Sequence, residues 1–162
     1  MSDETNRGNP LHHSETNACY TGSEPVFSKL HTEEKPCQNS LLMKSKQELL
    51  AALPHFTGTE YWYRHPLSPR HTYTDGVKFI AENAGAYWLL DVIVSYQMYP
   101  KVNTMPLQVW KLTRSGESSA IVTLEDGDGN EVKRQVIEYT DFPLDEFVIW
   151  MEGTVMLLPN EH

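Results

Sequence analysis

The chain has 162 residues, 40% of them apolar, and carries 13 basic against 22 acidic side chains, for a formal net charge of −9. That length suits one domain with an extension, and the lack of any 18-residue apolar run excludes a transmembrane helix. From Ser115 onward 11 carboxylates face only Lys133 and Arg134, which argues against direct nucleic-acid binding through that third of the chain.

Residues 1–40 are rich in Ser, Thr, Asn, Glu, Gly and Pro, and only nine of them are apolar. Such a segment buries too little surface to offset the entropy of ordering, so it is expected to be a disordered acidic tail. Tyr20 and Val26-Phe27 offer a short docking motif, but a solvated tail is the simpler reading. Both cysteines, Cys19 and Cys37, lie in this tail. The remainder is therefore not built on disulfides and fits a reducing compartment. Met1-Ser-Asp-Glu lacks the features of a signal peptide, so a cytoplasmic location is expected. His12, His13 and His31 accompany the cysteines without the paired local spacing that zinc modules use.

Residues 41–162 are expected to form a single α+β domain. Ser45-Lys-Gln-Glu48 has capping-box spacing, with Leu49, Leu50 and Leu53 as an apolar face and Pro54 as a stop. Phe56 to Tyr73 is dense in aromatics, Pro and His, and Thr59 to Tyr63 has strand-like composition. Thr74 or Asp75 opens a second helix, with Val77, Ile80, Ala81 and Ala84 on one face and Gly85 at its end. Ala86 to Gln97 is apolar except for a Tyr87–Asp91–Ser95 stripe. It reads as a core helix in preference to a buried strand.

After Pro106 the pattern changes to strands: Leu107–Thr113, Ser119–Glu125, Glu131–Tyr139, Phe147–Met151 and Thr154–Leu158. Asp126-Gly-Asp-Gly-Asn130 and Glu152-Gly153 are turns, and Phe142-Pro143 is a corner. The expected architecture is a helical N-terminal half packed on one face of a four- to five-stranded antiparallel sheet.

Several strings are distinctive: Leu49-Leu-Ala-Ala-Leu-Pro-His-Phe-Thr-Gly-Thr-Glu60, Ala84-Gly-Ala-Tyr-Trp-Leu-Leu-Asp91, Glu125-Asp-Gly-Asp-Gly-Asn-Glu131 and Glu138-Tyr-Thr-Asp-Phe-Pro-Leu-Asp145. With Tyr73-Thr-Asp-Gly-Val-Lys78 they resemble an uncharacterised bacterial domain family linked to plasmids and phages. The likeness covers roughly Leu49 to Pro159. It implies a compact single domain, borne on mobile elements, and it brings no activity or functional residue with it.

The residues offer three kinds of site. Tyr61, Trp62, Tyr63, Arg64, His65 and Tyr73 form an aromatic and basic segment of the type that contacts a protein partner. His55, His65 and His71 with Asp75 or Asp91 could converge as a hydrolytic or metal-dependent centre. Asp91 lies in the most apolar stretch, where a carboxylate is expected to be buried with a polar partner. Asp126, Asp128 and Asn130 begin like a calcium loop, but Glu131 and Ile137 stand where that loop needs Gly and Glu. No glycine-rich phosphate loop or nucleophile elbow is present, and no cofactor or dedicated metal site is expected. The leading expectation is a non-enzymatic protein-interaction module. The alternatives are an acidic decoy for a nucleic-acid-binding protein, with its carboxylates on one face, and an enzyme built on the histidines.

Overall fold

The computed structural model describes residues 43–162, which belong to one compact unit. The expected tail, with its cysteines and three of the histidines, lies outside the described residues. Among these, no helix is long and apolar enough to cross a membrane.

Helix α1 spans Lys46–Ala52. Ser45 Oγ accepts from Glu48 N–H, while Ser45 N–H donates to Glu48 Oε2 at 2.9 Å, completing the capping box. Leu53–His55 then tightens into a 3₁₀ turn at Pro54. Helix α2 is Asp75–Asn83, closed by Gly85 at φ +60°. Helix α3 is Tyr87–Tyr96, so the apolar stretch is helical as expected. A short α4, Pro100–Asn103, leads into the sheet.

The sheet has seven strands, where the sequence pointed to four or five. Strands β3 (Leu107–Arg114), β4 (Ala120–Glu125), β5 (Glu131–Ile137), β6 (Glu146–Glu152) and β7 (Val155–Leu157) are the expected ones. Two further strands, β1 (Tyr63–Arg64) and β2 (Thr72–Tyr73), come from the aromatic segment, so the N-terminal half is not purely helical. The order is β1-β2-β7-β6-β3-β4-β5. β2 runs parallel to β7, pairing Thr72 with Val155 and Tyr73 with Met156, so the sheet is mixed rather than antiparallel. A connection of this length, with helices α2 to α4 between the partners, is what a parallel pair requires.

Alternation along β3, β4 and β6 buries one face. Trp110, Leu112, Val122, Leu124, Ile149 and Met151 line that face and join Val77, Ile80, Leu89, Leu90 and Ile93 of α2 and α3 in the core. At its polar margin Gln97 and Gln108 exchange amide hydrogen bonds at 2.9 and 3.0 Å. Gln97 Nε2 also donates to Ile93 O, Gln108 Nε2 to Val102 O, and Trp110 Nε1 to Gln108 Oε1. This buried clamp fastens the end of α3 to β3 and satisfies every amide atom it contains.

Candidate functional site

Asp75, the first residue of α2, organises the aromatic segment. Its Oδ2 accepts from Glu60 N–H at 2.8 Å and Tyr61 N–H at 3.2 Å and lies 2.9 Å from Thr59 Oγ1, while Oδ1 accepts from Tyr63 O–H at 2.8 Å. Asp75 N–H donates in return to Thr59 Oγ1. Burial opposes the charge on Asp75, but the hydrogen bonds from Glu60, Tyr63, Thr59 and Tyr61 outweigh it and hold the carboxyl below its ordinary value. From the far end of the domain, Glu161 completes the start of α2. It accepts from Gly76 N–H at 3.0 Å, Thr74 O–H at 2.6 Å and Leu158 N–H at 2.9 Å. The orphan amide of the first helical turn is thereby satisfied from a distant segment.

The loop held by Asp75 displays Tyr61 and Trp62, which are 62% and 60% exposed. Arg64 is exposed and Tyr63 half-buried. His65 and Tyr73, expected in the same contact surface, are instead buried. Tyr73 lies opposite Tyr63 in the β1–β2 pair, stacked on it at 5.7 Å, and enters the core. Beside Tyr61 opens a cleft of about 730 Å³, walled by Phe56, Tyr61, Tyr63 and Phe79 and edged by Glu60, Lys78 and Glu82. His55 lines this cleft, away from the other two histidines. Tyr87 lies near Glu82; burial, then Tyr73 and Glu82 beside it, push its phenol up to about 12.

The turn from His65 to His71 makes a second site against α3. Ser68 N–H donates to His65 O and His71 N–H to Ser68 O, so Pro66 and Pro69 fold the segment back on itself. His65 is 1% exposed, with Nε2 3.1 Å from Asp91 Oδ1. Its Nδ1 has no hydrogen-bond partner among the described residues. Asp91 was expected to be buried, but its side chain is 50% exposed. It lies on the Tyr87–Asp91–Ser95 stripe, which faces outward on α3. The buried partner is the histidine. Ser68 Oγ is 2.8 Å from His71 Nδ1. Burial, with Arg70 and His65 nearby, lowers the pKa of His71. His71 and Asp91 share a groove of about 420 Å³ with Leu67, Val94 and Met98. Two of the three candidate histidines thus come together, and Ser68 joins them unannounced by any motif.

The late carboxylates fall into two groups, split between the two ends of the sheet. Glu125, Asp126, Asp128, Glu131 and Glu152 lie at one end of the strands, and Glu138, Asp145 and Glu146 at the other. Several are already committed: Glu125 to Lys111, Glu131 to Arg134, Asp145 to Lys46 and Glu152 to His162. The split and the pairing leave a smaller free acidic surface than the decoy reading expected. Asp126 accepts from the N–H groups of Asp128 and Asn130, which makes its loop a self-bonded turn, with Gly129 at φ +84°. No group of three or more His, Cys, Asp or Glu among the described residues is placed to hold a metal ion.

Residues 47–162 match the model of a family of unknown function, DUF6876, and the chain belongs to that family. No curated protein and no solved structure matches it. Family membership therefore covers residues 47–162 and assigns them no function.

Proposed function

We propose that the domain is a small protein-interaction module that meets its partner through Tyr61, Trp62 and the adjoining cleft. One observation carries this reading: two neighbouring large aromatics stand mostly in solvent on a loop that Asp75 holds in place. A loop fixed in advance loses little freedom on binding, and Trp, Tyr and Arg are the residue types that dominate interface energies. The cysteine-free domain fits a cytoplasmic partner, and the plasmid and phage association implied by the sequence likeness makes a bacterial lysate the source in which to seek it. The test is affinity capture from bacterial lysate, read by mass spectrometry. Wild type is compared with Tyr61→Ala/Trp62→Ala and with Leu67→Ala/Met98→Ala, which alters a separate exposed apolar site. A partner held by wild type and the second variant, and lost by the first, is expected. Retention by the first variant overturns the reading.

A second reading, a hydrolase centred on the 65–71 turn, is favoured by the 2.8 Å approach of Ser68 Oγ to His71 Nδ1. A neutral His71 with Nδ1 unprotonated accepts the Ser68 proton, as activation of a hydroxyl nucleophile requires. Labelling of Ser68 by a serine-reactive fluorophosphonate, abolished in His71→Gln, would support it. An unlabelled wild-type protein removes it.

A further inference from the structure

The cleft beside Tyr61 has aromatic walls and a charge imbalance. Phe56 and Phe79 meet at 5.1 Å between ring centroids, and Tyr61 and Tyr63 complete the lining. Two of these rings already hold an ammonium group: Lys44 Nζ is 4.7 Å from the Phe79 centroid and Lys78 Nζ 5.0 Å from that of Tyr63. Against Glu60, Asp75 and Glu82 the lining contains Lys78, with Lys44 over the Phe79 ring as the second cation. Lys78 is committed to Glu82 at 2.8 Å. Glu60 and Asp75 form no ion pair among the described residues. Hydrogen bonding keeps Asp75 ionised without cancelling its charge.

A cation on a flexible apolar stem complements both features. The stem packs on the rings, the head meets the π faces of Phe56 and Tyr61, and the charge answers Glu60 and Asp75. A chain of net charge −9 also draws such a partner in by long-range attraction. We infer that the cleft receives a lysine or arginine side chain from a basic segment of the partner protein. This rests on the interaction-module reading and names the chemistry of the partner.

The test probes an array of short immobilised peptides of systematically varied charge with the whole protein. Bound peptides are expected to be enriched in Lys and Arg. For the strongest of them in solution, Glu60→Gln and Tyr61→Ala should each raise Kd about tenfold. Glu60 is exposed, so its substitution leaves the fold intact. A bound set without basic enrichment, or no binding at all, overturns the inference. So does spermidine competing as well as the peptide, because a free polyamine would then be the occupant. Uncharged peptides that bind and are lost in Tyr61→Ala/Trp62→Ala would leave the interaction surface standing and remove only its basic partner.

Discussion

At Gly76 an added Cβ would lie 2.6 Å from Leu158 Cδ1 and 2.8 Å from Glu161 Oε2. Both are side-chain ends that can move, but moving Glu161 withdraws it from the three groups it joins at the start of α2. Gly76→Ala should therefore destabilise the domain by about 1–2 kcal/mol, despite the better helix propensity of alanine, as measured by urea unfolding. Asp75→Ala removes charge-assisted hydrogen bonds from four residues, Thr59, Glu60, Tyr61 and Tyr63, and should cost about 2 kcal/mol, with Tyr61 fluorescence anisotropy falling as the loop loosens. His71 gives a pH dependence of definite sign. The ordinary histidine value is 6.5, and burial first, then Arg70 and His65, hold His71 lower in the fold. Below 6.5 the unfolded chain binds more protons than the native one. This contribution to stability is complete above that pH and is lost as pH falls toward the depressed value. Urea midpoints at about pH 7.5 and about pH 5 should show the decline, and His71→Gln should reduce it.

At the scale of elements, the glutamine clamp joins α3, α4 and β3. Gln108→Leu strands Gln97 Oε1 and Trp110 Nε1 and should cost about 2–4 kcal/mol. Gln97→Leu combined with Gln108→Leu should cost less than the sum of the single changes, because the double variant leaves fewer orphaned groups, and a denaturant double-mutant cycle measures the difference. Elements whose signals are local were legible in the sequence. The Ser45–Glu48 box, the Val77–Ala84 face with Gly85, and the Asp126–Asn130 turn all act within a few residues. β1 and β2 have two residues each, too few for an alternation to register. The parallel partner of β2 lies more than eighty residues away, and no local pattern announces it. The Asp91 stripe was read with the right period, yet apolar residues on neighbouring faces suggested burial where the carboxylate only approaches a buried histidine.

Across the whole molecule, the central strands β3 and β4 are paired on both sides over most of their length and β6 over its last three residues, whereas β1 is a two-residue edge. Amide hydrogen exchange should therefore be slowest in Trp110, Leu112 and Val122, and far faster in Tyr63 and Arg64, following local opening. Equal protection of β1 and β3 would contradict this. The exposure of Tyr61, Trp62 and Arg64 together follows from their closeness in sequence, on a loop and a two-residue edge strand. The cleft was not legible in the sequence, because Phe79 and Glu82 reach it from α2 and Asp75 fixes its loop by bonds across 14 to 16 positions. The bond from Gly76 to Glu161 spans 85 positions. At about 5–20 residues per second, the ribosome needs roughly 4–17 s to supply that carboxylate after Gly76 has been made. Throughout that interval the apolar side of α2 has neither its cap nor β7 to pack against. A nascent chain arrested before Val155 should therefore be sensitive to protease within α2 and a client for chaperones, and resistance should arrive only with the final strand and Glu161.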